Sequence, residues 1–204
     1  MKRYSILAKL GEKDESEIVT LDTNTEKFLL DLINNKGRFN FGIANAIDPL
    51  LKYGLLPSEN AIDLLIFASI VYAADTRINR DNNAQDGWSR EIEIYLPVYD
   101  IELWEQELVA LIEEMLRFLT GDLWRLIPHK RNKIRRYSTL LQRSLLKIKA
   151  DCTCLFSGGL DSFIGAIDLL EKGHNPIFLS HFYTRIDSPF QNECFKIIKE
   201  KYNL

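Results

Sequence analysis

The chain has 204 residues, 46% of them hydrophobic and 27% charged, with a formal charge of -3 at pH 7. This is an ordinary globular balance, long enough for one large domain or two small ones and for a real core. It lacks the basic surplus of a protein that grips nucleic acid non-specifically, and no run reaches the roughly 18 to 20 apolar residues that span a bilayer.

The N-terminus, Met1-Lys2-Arg3-Tyr4, is basic, but the apolar stretch behind it is broken by Lys9 and Gly11, so it does not read as a signal peptide. The three cysteines, Cys152, Cys154 and Cys194, are sparse and odd in number. That usage fits a reducing cytosol rather than a disulfide framework. A cytoplasmic protein without membrane contact is therefore expected.

Two parts follow in chain order. Residues 1–148 read as an α+β domain. Short strands are expected at 4–10 and 17–22, and a short helical stretch carries Leu29, Leu30, Leu32 and Ile33 until Asn34-Asn35-Lys36-Gly37 ends it. Residues 58–74 show helical spacing at Ala61, Leu64, Leu65, Ala68, Val71 and Tyr72, with Ser58 as N-cap after Pro57. A polar loop runs from Asp75 to Ser89. Residues 90–98 alternate, with Ile92, Ile94, Leu96 and Val98 on the buried face of a strand. Asp100 caps a helix over 102–119, with Leu103, Trp104, Leu108, Leu111, Ile112, Met115 and Leu119 inward. A strand at 123–127, a basic run from His129 to Arg136 and a helical stretch at 137–149 complete the first part.

Residues 149–204 read as the start of a doubly wound parallel α/β sheet. Cys152 to Phe156 is a short buried strand, and a helix over 162–172 ends at Gly173 as its C′ glycine. A second strand spans 177–182, and a second helix over 188–202 opens with Ser188-Pro189.

The turn between the first strand and helix is Ser157-Gly158-Gly159-Leu160-Asp161-Ser162. A strand that enters a helix through glycines is a natural anion site, because the first helical N–H groups lack partners and the dipole favours negative charge. Gly158 and Gly159 let backbone approach a phosphate, and the Ser157 and Ser162 hydroxyls can donate to its oxygens. Asp161 would be repelled by bare phosphate, so its place at the helix start suits a cap or a Mg²⁺ ligand. No Gly-Lys-Ser or Gly-Lys-Thr follows, so this is not a Walker loop.

These six residues resemble the signature of the PP-loop ATP pyrophosphatases. Leu155 to Ser162 looks most like the 7-cyano-7-deazaguanine synthase (QueC) group. Ala74-Asp75-Thr76-Arg77, the stretch from Asn83 to Ile92 and Leu119-Thr120-Gly121-Asp122-Leu123-Trp124 resemble the N-terminal extension of QatC proteins. QatC is the QueC-like component of Qat anti-phage defence systems. The resemblance implies a bacterial, cytoplasmic enzyme that binds ATP and Mg²⁺ and adenylates a 7-deazaguanine acid. Pyrophosphate is released, and the product passes to ammonia or to an amine on a protein partner from the defence operon. A homo-oligomer stays open.

Two departures stand beside the resemblance. Only about 50 residues follow the motif where family domains need several more strands, so a fragment or truncated product is expected. The housekeeping synthases carry a C-terminal cysteine cluster for zinc; Cys152-Thr153-Cys154 has the wrong spacing and Cys194 stands alone, so no zinc site is expected.

Further residues carry two readings each. Ser180, His181 and Phe182 end the second strand, where the resemblance implies the adenine edge, or are a plain strand end. Asp75, Arg77, Arg80, Asp86, Trp88 and Arg90 form a substrate or partner site, or salt bridges that hold a loop. The basic run holds phosphate or nucleic acid, or is a solvated connector. Two functional alternatives remain: a PP-loop enzyme that modifies tRNA by lysidine or thiouridine formation, which the acidic balance counts against, and a non-catalytic interaction module.

Overall fold

The computed structural model describes residues 3–11, 25–34, 37–41, 43–52, 54–80, 88–132, 149–180 and 188–203. The chain forms two compact units, Met1–Leu146 and Lys147–Leu204.

The first unit is built on strands β1 (Arg3–Lys9), β2 (Glu26–Asp31), β3 (Glu91–Val98) and β4 (Leu123–Lys130). Their order is β2-β1-β3-β4, and every pairing is parallel. The expected α+β arrangement is thereby corrected to α/β: parallel neighbours need crossover connections, and helices supply them. Helices α1 (Ile43–Lys52) and α2 (Glu59–Arg77) lie between β2 and β3. The connection from β3 to β4 begins with a helical turn at Ile101–Leu103, passes through a π-turn at Trp104–Leu108 and continues as α3 (Val109–Thr120).

One core gathers the alternate strand residues Tyr4, Ile6 and Ala8, Ile92, Ile94, Leu96 and Val98, and Trp124 and Leu126. Against them pack Ile62, Ile66 and Ile70 of α2 and Ile112 and Leu116 of α3. Ser58 caps α2 as expected, its Oγ accepting the Ala61 N–H at 3.2 Å.

Three expectations change. Residues 26–31 are a strand, not part of a helix. Phe28 and Leu30 face the core while Leu29 is 65% exposed, the alternation of an edge strand in register with β1. Strand β3 has no solvent face, since Glu93 and Tyr95 are each only 2% exposed. Trp104 and Ile112 are buried as expected, but Leu111, Met115 and Leu119 point outward, because the π-turn rotates the following helix and brings Leu116 inward beside Ile112. Helix α1 was not foreseen. The expected strand at 17–22 and most of the helix at 137–149 lie outside the described residues.

The second unit pairs β5 (Cys152–Leu155) with β6 (Pro176–Leu179) in parallel. Helix α4 (Leu160–Glu171) connects them, and α5 (Ser188–Tyr202) follows. Cys154, Phe156, Ala166 and Ile198 make a small core, with Phe163, Phe178 and Cys194 against it. Gly173, at a φ of +80°, turns the chain out of α4 and places its N–H on Leu170 O.

Candidate functional site

The turn from β5 into α4 is ordered by its own serines. Ser157 Oγ and Ser162 Oγ lie 3.1 Å apart. Ser162 Oγ accepts the Ser157 N–H at 3.3 Å and donates to Gly159 O at 2.9 Å, while Ser157 Oγ accepts the Gly159 N–H at 3.3 Å. Gly159 occupies the N-cap position of α4 with no side-chain oxygen over the helix end. The two hydroxyls therefore border the partnerless first N–H groups of a helix. Asp161 lies exposed in that first turn, and Leu160 is 72% exposed.

The two glycines do different work. Gly158 has a φ of +82°, and a Cβ there would lie 2.8 Å from Gln191 Cα, so its missing side chain lets α5 pass the turn. Gly159 is not left-handed, and its Cβ would meet only Ser157 Oγ at 3.4 Å. Of the two, Gly159 is the one that leaves open space at the helix end for an anion. Ser180, just past β6, donates its hydroxyl to Phe156 O at 2.7 Å and so ties the strand end to the start of the turn. His181 and Phe182 lie outside the described residues.

The charged group of the first unit converges on Arg90, which is 1% exposed. Its guanidinium donates to both Asp122 carboxylate oxygens, to Asp75 Oδ1 at 2.8 Å and to Ile78 O at 2.5 Å. Burial opposes the Arg90 charge, but the hydrogen bonds and negative charges of Asp122 and Asp75 outweigh it and raise the guanidinium above its ordinary pKa. Arg80 reaches the same Asp122 at 2.9 Å, and Ser89 Oγ donates to Gly121 O. The segments at 74–77, 88–92 and 119–124 thus meet in one clamp at the amino ends of β3 and β4. Ligands of open α/β sheets sit at the other end, outside the carboxyl ends of strands.

The Trp88 carbonyl accepts from Arg80 of that clamp at 3.4 Å, but the Arg77 and Trp88 side chains point elsewhere. Arg77 lines a cleft of about 390 Å³ with Leu30, Phe41, Tyr72 and Thr76, its guanidinium 5.6 Å from the centre of the Phe41 ring. Trp88 is 71% exposed beside Gly121. Asp86 lies outside the described residues. From the basic run, Arg131 is buried in a second clamp, with Asp63 at 2.6 Å and Glu59 at 2.8 Å, while 133–136 lie outside the described residues.

Sequence reasoning missed the Arg90–Asp122 and Arg131–Asp63 pairs, whose partners are 32 and 68 positions apart. It also missed the cleft beside Phe41, a residue whose positive φ of 55° carries no compositional signal. No helix among the described residues is long and apolar enough to cross a membrane. No family model matches this chain, and neither a curated protein nor a solved structure matches it.

Proposed function

We propose that the turn from Ser157 to Ser162 binds the phosphates of Mg-ATP and that the chain is a QueC-like ATP pyrophosphatase. The observation that carries this reading is the facing pair of serine hydroxyls, 3.1 Å apart, beside an uncapped helix start. A phosphate oxygen can replace each hydroxyl's present partner, and the α4 N–H groups supply further donors. The Asp161 carboxylate is exposed where a Mg²⁺ ion against the pyrophosphate would need an oxygen ligand.

The reaction follows from the resemblance. A carboxylate oxygen of a 7-deazaguanine acid bonds to the α-phosphorus of ATP as the bond to the bridging β-oxygen breaks and pyrophosphate leaves. A nitrogen nucleophile, ammonia or an amine on a protein partner, then bonds to the carbonyl carbon and displaces AMP. The residues of the turn hold the phosphates in line and stabilise charge on the departing pyrophosphate. Anti-phage defence in a bacterial cytoplasm is the setting this reading implies.

Calorimetric titration of Mg-ATP into the protein and into Asp161→Ala tests it. The expected result is binding that the substitution weakens, with pyrophosphate release stimulated by a 7-deazaguanine acid and not by tRNA. Equal binding by both proteins, or none by either, would count against the site.

A further inference from the structure

At the amino end of the second unit's sheet, away from the glycine turn, three potential metal ligands come together. Asp151 directly precedes β5, Cys152 is its first residue, and His174 lies in the turn before β6. The parallel register sets Cys152 beside Pro176, which draws His174 and Asn175 up to Asp151 although Asp151 and His174 are 23 positions apart. One ligand atom from each of Asp151, Cys152 and His174 lies within 4.8 Å of the other two.

We propose that Asp151, Cys152 and His174 form a zinc site. The carboxylate is already aimed: Asp151 Oδ1 accepts the Asn175 N–H at 3.0 Å, while Oδ2 faces His174 Nδ1 at 3.1 Å. Two ligands each about 2.0–2.2 Å from a tetrahedral ion are roughly 3.3–3.6 Å apart, so an ion fits between this oxygen and nitrogen with little movement. Asp151 and His174 are exposed and Cys152 is partly so, which leaves their side chains room to close on an ion and one position open for water.

The donor set selects the metal. A thiolate with an imidazole suits zinc and disfavours Mg²⁺ or Ca²⁺, which take oxygen ligands. The turn that carries His174 is fixed from behind, with the His174 N–H on Leu169 O and the Gly173 N–H on Leu170 O. Zinc would therefore staple the start of β5 to the end of α4. The spacing argument against zinc considered cysteines close in sequence; this site draws its ligands from two turns that only the parallel pairing joins. It does not depend on ATP binding at the opposite end of the sheet.

The test uses the full chain, stripped of metal, with Co²⁺ and Zn²⁺ as probes. Co²⁺ is expected to give a thiolate-to-cobalt absorption band that Cys152→Ser abolishes. Zinc affinity is expected to fall by more than about tenfold in His174→Ala, the loss that even an outer partner of a metal ligand causes. In the unaltered protein, Zn²⁺ should slow alkylation of Cys152, read by mass spectrometry, and leave Cys194 unchanged; this arm needs no variant to fold. The proposal is overturned by absence of the cobalt band, by a band that survives Cys152→Ser, or by equal or absent protection of the two cysteines.

Discussion

Ser157 and Ser162 hold their hydroxyl oxygens 3.1 Å apart across the glycine turn, so each is the other's partner while the helix end beside them carries no side-chain cap. Under the proposed function both hydroxyls turn to phosphate. A hydrogen bond to a charged group contributes about 1.5–3 kcal/mol. Ser157→Ala and Ser162→Ala are each expected to weaken Mg-ATP about ten- to a hundredfold by calorimetry, with the circular dichroism spectrum unchanged. Unaltered affinity in both would remove the serines from the site.

Gly158 and Gly159 should fail in different ways. At Gly158 a side chain meets the Gln191 backbone and a left-handed φ together. The conformation alone costs a non-glycine residue about 1–2 kcal/mol, and the clash adds to it. Gly158→Ala is expected to speed amide exchange in α5 and β5 and leave α2 protected. Gly159→Ala meets neither obstacle, so it is expected to fold normally and lose ATP affinity. Exchange mass spectrometry with calorimetry separates the two, and matching behaviour in both variants would contradict the division of roles.

The buried pair of Arg90 and Asp122 sets a third expectation. Asp122 is fully buried and takes donors from Arg90 and Arg80, so Asp122→Ala strands a charge in the interior. Breaking such a pair costs about 3–5 kcal/mol. Asp75 touches the same guanidinium from a side chain that is 54% exposed, and Asp75→Ala is expected to cost less than about 1 kcal/mol. Urea denaturation measures both. A small effect at Asp122 would show that water reaches the clamp.

Much of this architecture was legible because local signals and packing agree. Ser58 and helical spacing announced α2 as an element but not its buried face, which is Ile62, Ile66 and Ile70 while Leu64 and Tyr72 are exposed; the strict alternation from Ile92 to Val98 announced β3. The run from Phe28 to Ile33 was not legible, because a short apolar run carries no period that separates strand from helix; pairing with β1 decides it. The glycine turn was readable as a motif, yet that Gly158 packs under Gln191 and Gly159 does not requires α5 in place. Arg90 was picked out for its charge. Its burial follows from Asp122, which only the parallel pairing of β3 and β4 brings alongside.

The π-turn at Trp104–Leu108 is the device that decides which side of α3 faces the core. Its closing bond runs from the Val109 N–H to Trp104 O, one residue longer than an α-turn. An uninterrupted α-helix would swing Leu116 away from Trp104; the wider turn restores Ile112 and Leu116 to the Trp104 side and leaves Phe118 at 87% exposure. Leu116→Ala is therefore expected to cost about 2–5 kcal/mol as a core truncation. Phe118→Ser is expected to stay within about 0.5 kcal/mol of the parent. Deleting Gln106, an exposed residue of the π-turn, would convert it to regular helix while keeping Trp104, Ile112 and Leu116 on one side. That deletion is expected to retain a cooperative unfolding transition of the first unit by calorimetry. A loss as large as that of Leu116→Ala would mean that the π-turn itself, and not the face it selects, holds the helix in place.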